Sequence, residues 1–359
     1  MDACVIASAM SETIPFFDGH NDTIKRLFEP STDRRAPEVF LTGSDEGHID
    51  LPRAKEAGMK GGFWATFVPS PSSGDIADMD LSQLPPAQTP EHRESVAVTM
   101  RLAAGLFELE RRSAGQFKVV KSAQELREAI SADVYAAIFH IEGAEAIGED
   151  LDELYVLHQA GLRSLGPVWS RDNRFAHGVP FRFPSTPDTG PGLTEAGKSL
   201  VRACNELGIM IDLSHLNEQG FDDIAGLSDA PLVATHSNAH AVAQSSRNLT
   251  DRQLEAIRAS GGVVGLNYAT AFLNPDGSRD SDTPFEVILR HTDHLLGILG
   301  EEGLALGSDF DGAGMPAVIG DVLGVQNLLQ AMLTHGYGRE LVDRIAIGNW
   351  LSVIDRTWK

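Results

Sequence analysis

The sequence predicts an α/β fold, a closed (β/α)8 barrel, and three observations lead there. Short apolar, β-branched runs recur eight times along the chain. Helical patterns lie between several of them, three with Thr or Pro at their start and Gly at their end. Histidines and carboxylates gather where the runs end. Alternating strands and helices make a parallel sheet. In a barrel the carboxyl ends of its strands form the reactive face.

The predicted strands, in chain order, cover residues 14–20, 61–69, 135–143, 163–169, 209–215, 232–237, 262–268 and 304–310. Most are continuous apolar runs, as strands covered on both faces should be. Between them, residues 91–112 form the longest helical pattern, and 194–208 and 250–261 each open with Thr and close with Gly. Residues 284–300 carry apolar positions at helical spacing. A doubly wound open sheet is the alternative, but the first strand is not followed by a glycine-rich phosphate fingerprint. Segments 69–90 and 170–192 are rich in Pro and Ser and read as long loops at the active-site face. No internal repeat or linker interrupts the pattern, so residues 1–359 are expected to form one barrel domain.

Composition narrows the partners. The chain of 359 residues is 42% hydrophobic and carries a formal net charge of -22, which disfavours nucleic acid and anionic lipid surfaces. Cys4 and Cys204 are its two cysteines, too few for a disulfide framework or a thiolate metal site. No apolar run reaches the roughly 18 residues of a membrane span, and the N-terminus lacks the basic front of a secretion signal. A cytoplasmic location is the expectation.

The chemistry is at the strand ends. His20 and Asp22 close the first run, Glu142 the third, His215 the fifth, His236 the sixth and Asp309 the eighth. Side chains two apart on a strand share a face, so His20 and Asp22 are expected to point together, with Asn21 turned away and Gly19 allowing a close backbone approach. A lone His-x-Asp is ordinarily a capped turn; answering groups on four other strand ends change that reading. Imidazole and carboxylate without thiolate suit zinc and related divalent metals. Three histidines and several acids exceed what one tetrahedral ion with an open position needs, so two ions are expected, activating a shared water for hydrolysis.

Taken together, DGHND at the first strand, IEG at the third, LSH at the fifth, THSNAH at the sixth, the SRN that follows and GSDFDG at the eighth resemble the membrane (renal) dipeptidase family of the amidohydrolase superfamily. GGFWATF at the second strand is similar too, so the likeness spans nearly the whole chain. It implies a metal-dependent hydrolase barrel with two zinc ions that cleaves dipeptides, mixed L,D-dipeptides among them. His20, Asp22 and Glu142 would hold one ion and Glu142, His215 and His236 the other, with a metal-bridging hydroxide attacking the peptide bond. Asp309 and Glu142 are the catalytic candidates, Asp309 passing a proton to the leaving amine. Arg247 would clamp the substrate carboxylate, because a guanidinium fork matches a planar carboxylate. A homodimer is the assembly the family implies. An alternative keeps the two metals but takes another small amide or lactam as substrate.

The chain departs from the family at one point. Where many members place a histidine at the end of the fourth strand, this sequence has Trp169. Trp169 and His177 are therefore substrate-binding candidates, with Arg171 and Asn173 as further stand-ins. His140 shares the face of Glu142. His158, His291 and His294 fall on helical patterns and read as structural, His240 lies beyond the strand-six turn, and Asp311 reads as a turn residue beside Asp309.

Overall fold

The computed structural model describes residues 13–29, 31–32, 34–71 and 87–359. Cys4 and the middle of the 69–90 loop lie outside them. Nine strands are present among the described residues: β1 (Phe16–Asn21), β2 (Met59–Phe67), β3 (Phe117–Val119), β4 (Tyr135–Glu142), β5 (Leu162–Gly166), β6 (Met210–Ile211), β7 (Val233–Ser237), β8 (Val263–Leu266) and β9 (Leu304–Leu306). Eight of them match the predicted runs. β3 is the addition: it pairs with the first residues of β4, on the edge that β5 takes over from Phe139.

All ladder pairs are parallel, in the order β1-β2-β4-β5-β6 for one sheet and β7-β8-β9 for the other. Two single parallel bridges join these sheets into a ring, Asp212↔Val233 between β6 and β7 and Asn21↔Phe310 between β9 and β1. The helices His92–Arg112, Glu195–Leu207, Asp251–Ala259 and Phe285–Leu299 match the predicted helices to within two residues. Thr194 caps its helix by accepting the Gly197 N–H at 3.0 Å, and Thr250 and Gln253 form a capping box. No helix among the described residues is long and apolar enough to cross a membrane.

The strands themselves are shorter than the apolar runs that announced them. β6 spans Met210–Ile211 and β9 ends at Leu306, so His215 and Asp309 sit on loops beyond their strands. Polar side chains take over there as hydrogen-bond partners, which ends the ladder and places the reactive groups above it.

An inner cluster gathers Phe17, Phe63, Ile138, Met210, Val233, Val263 and Ala305, residues of seven different strands, around Trp350 of the helix Asn349–Thr357. A cluster fed by strands all round a ring lies inside it. Trp350 donates its indole N–H to Leu306 O at 2.9 Å and so plugs the barrel from below.

Candidate metal centre

Above the plug, five side chains converge. Glu142 Oε1 lies 2.9 Å from His215 Nε2, 3.4 Å from His236 Nε2 and 3.6 Å from His20 Nε2. Asp22 Oδ2 lies 3.5 Å from His20 Nε2, and His215 Nε2 and His236 Nε2 are 3.1 Å apart. All five residues are at most 6% exposed. His20, Asp22 and Glu142 form one group within metal-binding distance of each other, and Glu142, His215 and His236 form another.

Two register shifts put these ligand atoms together. Phe17 faces the inner cluster, and His20, three residues on, would face the opposite side under strict alternation. The β1–β2 ladder slips between Asp18 and Asn21, which re-aims His20 into the mouth. The same holds for Val233 and His236, where the β7–β8 ladder slips between Ala234 and Ser237. In β4, paired to β2 without a slip, Ile138, His140 and Glu142 follow plain alternation.

The surroundings hold the ring nitrogens of His215 and His236 that face away from Glu142. Ser170 Oγ contacts His215 Nδ1 at 2.8 Å and Thr235 Oγ1 contacts His236 Nδ1 at 2.9 Å, occupying the ring atoms that face away from Glu142. Both ring nitrogens of His20 are buried without a hydrogen-bond partner. Burial and then the nearby cations push His215 and His236 well below the ordinary histidine range, which leaves neutral imidazoles with lone pairs to give. Burial also pushes Glu142 up, with Asp22, Asp309 and Asp212 adding to it. Burial opposes charging His20, yet Glu142, Asp22 and Asp309 outweigh it and hold His20 above its usual range. Buried carboxylates beside neutral imidazoles at His215 and His236, with His20 giving up its proton as a cation replaces it, form a donor set that a divalent cation fits.

Asp309 and Asp311 both have left-handed backbones, with φ of 63° and 64°. Asp309 Oδ2 accepts from Asn267 Nδ2 at 2.9 Å, and its amide donates to His20 O at 3.0 Å, so the carboxylate stands beside the ligand cluster. Gly312 is packed against it: a methyl there would overlap Asp22 Oδ2 and Asp309 Oδ1. Asp311 instead accepts from Thr23 Oγ1 and the His48 amide, both at 2.8 Å, and from Arg26 Nε at 3.1 Å, which commits it to holding the turn.

Arg247 is buried beside the cluster. Its Nη1 bonds to Ser214 O, and its Nη2 lies 3.1 Å from His236 O and 3.3 Å from His215 Nε2. Burial lowers its pKa to about 10, and Nε is left without a partner. The guanidinium lies over Phe272, whose ring stacks on Phe181 at 5.9 Å; Phe181 in turn meets Trp169 at 5.2 Å. Trp169 lies 5.9 Å from the His215 ring and 5.0 Å from Phe67, so these aromatics wall one side of the mouth.

The other stand-ins for the missing histidine have partners of their own, Arg171 while lying over the rings of Phe67 and Trp169. Arg171 is buried in a 2.9 Å pair with Glu145, Asn173 donates to Pro167 O at 2.8 Å, and His177 pairs with Asp172 at 3.0 Å. His140 lies edge-on to His20, 5.6 Å between centroids, with Nδ1 on Ser164 Oγ at 2.9 Å. His240 contacts Ser185 O at 2.8 Å, away from the cluster. His291 Nδ1 accepts from the Ala239 amide at 3.2 Å and its Nε2 donates to Leu273 O at 2.9 Å, a structural pin. Asn21 bonds to Asp18 and Phe63 O, both at 3.2 Å, turned from the ligands.

Sequence reasoning named Trp169 but missed Asp212, Thr235, Ser170, Asn267 and the other rings of the aromatic wall. The hydroxyl residue just before each of His215 and His236 was a usable signal. Ser170 and the ring contacts come from distant loops and left no trace in spacing.

Comparison with known proteins agrees with this geometry. A metallopeptidase from Rhodobacter sphaeroides, crystallised with a phosphinate mimic of the dipeptide L-Ala-D-Ala, is 52% identical and superimposes with a TM-score of 0.93, covering 97% of this chain and 100% of its own. An uncharacterized protein in the pqqA 5' region of Klebsiella pneumoniae is 46% identical over 74% of this chain and 98% of its own length. The dipeptidase tcpJ of Claviceps purpurea (strain 20.1) is 25% identical over 94% of this chain and 76% of its own length. The profile of the membrane dipeptidase family, peptidase family M19, matches residues 6–358. With its parallel barrel and its clustered metal-binding side chains, the chain belongs to the membrane dipeptidase family and is a metallodipeptidase, a hydrolase acting on peptide bonds.

Proposed function

We propose that this enzyme hydrolyses small dipeptides, L,D-dipeptides among them, using two divalent cations of which zinc is the natural choice. The observation that carries the reading is Glu142 Oε1 within 3.6 Å of three imidazole Nε2 atoms, two from strands β1 and β7 and one from the loop after β6. His20, Asp22 and Glu142 would hold one ion, and Glu142, His215 and His236 the other. When bound, the ions supply Lewis acidity, acidifying a shared water and polarising the scissile carbonyl. The 52%-identical relative that binds an L-Ala-D-Ala mimic supports a D-residue on the carboxyl side.

The chain's own residues do the rest. Arg247 anchors the substrate carboxylate with its guanidinium fork, and the apolar rings of Phe272 and Phe181 beside it exclude water. Asp309, whose carboxyl is raised by burial, accepts a proton at its carboxylate and returns it to the departing amine. Asn267 holds that carboxylate in place. Trp169 and Phe67 close the wall on the side of His215.

Metal analysis and a dipeptide panel varied in chirality at the second residue test the reading. Glu142→Gln should lose bound metal and turnover together; full activity in a metal-analysed Glu142→Gln protein would overturn it. Arg247→Ala should cut kcat/KM for dipeptides by roughly 100-fold or more. If uncharged amides are better substrates and are indifferent to Arg247, the enzyme is an amidase of another kind.

A further inference from the structure

The seam between β6 and β7 is closed in an unusual way. The backbone ladder there is the single bridge Asp212↔Val233, and past it the Asp212 side chain takes the place of a strand. Its Oδ1 accepts from the Thr235 amide at 2.8 Å, the Ser214 amide at 3.1 Å and Ser214 Oγ at 2.6 Å. Its Oδ2 accepts from Thr235 Oγ1 at 2.6 Å. The residue is 2% exposed, and each hydroxyl it binds neighbours a proposed metal ligand, His215 or His236.

The proton count along this chain has one solution. A hydroxyl carries a single hydrogen. Thr235 gives its hydrogen to Asp212, so Thr235 Oγ1 can only accept from His236 Nδ1, 2.9 Å away. The ring hydrogen of His236 is therefore on Nδ1, and the lone pair is on Nε2, the atom 3.4 Å from Glu142. Ser214 likewise spends its hydrogen on Asp212 and accepts from the His236 amide at 3.1 Å. One carboxylate thus fixes both the ring and the backbone of His236.

We infer that Asp212 is the positioning residue that sets His236 as the Nδ1–H tautomer and ties the two ligand-bearing strand ends together. The inference rests on the reading of His236 as a metal ligand. Asp212 also falls in a group with His20 and His236 at metal-binding distances, but its oxygens already accept four hydrogen bonds. Oδ1 takes three of these and Oδ2 one, so Oδ1 is fully occupied and the remaining lone pair of Oδ2 is what the Thr235→Val comparison below tests.

The experiment uses metal-free full-length protein. Zinc is titrated in competition with a chromophoric chelator, and histidine tautomers are read from two-bond 1H–15N spectra. Asp212→Asn keeps the shape, but its amide donates to Thr235 Oγ1. That frees the Thr235 hydrogen for His236 Nδ1 and moves the ring hydrogen to Nε2. Asp212→Asn and Thr235→Val should each weaken one zinc site by about 10–100-fold, Thr235→Ser should restore it, and Asp212→Asn should switch the His236 spectrum to the Nε2–H pattern. Unchanged zinc affinity with an unchanged tautomer in Asp212→Asn overturns the inference. Zinc lost in Asp212→Asn but kept in Thr235→Val also overturns it, and makes Asp212 itself a ligand. Should Asp212→Asn fail to fold, the Thr235→Val and Thr235→Ser pair decides. His236→Ala separates the two levels: if it keeps wild-type zinc binding, the ligand reading fails and the inference falls with it. If it loses zinc, a negative result at Asp212 and Thr235 counts against the inference alone.

Discussion

The lower half of the barrel is filled by Trp350, Phe63, Ile138, Val233, Val263 and Ala305, and one indole hydrogen bond is its main polar feature. The upper half, on the same strands, holds His20, His140, Glu142 and His236 with hardly more exposure than the apolar plug below. Gly19 marks the boundary, where a methyl would run into Trp350, Thr235 O and Leu306 O. Both levels are dry, but only the upper one contains charge. Burial is favourable below, where it removes apolar surface from water. Above, it is a strain that hydroxyls, Asn267 and a cation must offset. The contrast separates residues that keep the fold from residues that do chemistry.

Three measurements can break or sharpen that contrast. The largest effect is expected at Asp309. Asp309→Asn should lower kcat by roughly 100- to 10,000-fold with bound metal and thermal stability nearly unchanged. Loss of metal in that variant would move Asp309 from proton carrier to ligand. Next comes the plug: Trp350→Ala should cost about 3–5 kcal/mol in urea unfolding while the folded fraction stays active. Activity lost at full stability would mean that the two levels are not separable.

The smallest effect concerns pH. Burial depresses His291 from 6.5 to about 4, and its Nδ1 must accept from Ala239 to stay paired. Below pH 6.5 the unfolded chain binds a proton that the folded chain refuses, so stability present above that pH is lost as pH falls toward 4. Between pH 7.5 and 5.5 the wild type should lose about 1 kcal/mol more than His291→Phe. Parallel denaturation curves for the two proteins would remove His291 from the account.

Much of the molecule was readable from its residues. Eight apolar runs with polar ends became the barrel strands, and the five proposed ligands meet at one mouth. Two limits were physical. β3 is three residues long, Phe117–Val119, too short to announce itself by periodicity. His215 and Asp309 were expected on strands but lie on loops, because polar partners rather than a ladder hold them there.

The sequence by itself determined which residue types stand at the strand ends and hence the class of chemistry, since ligand identity is a property of single side chains. It also marked Trp169 as a departure from its family. Only the tertiary structure decided how those groups aim. His20 reaches the mouth through a register slip in β1 and His236 through one in β7, both set by neighbouring strands. The tautomer of His236 follows from hydroxyls and a carboxylate brought together across the β6–β7 seam. Side-chain direction and proton placement depend on partners distant in the chain, and spacing along one strand does not encode them.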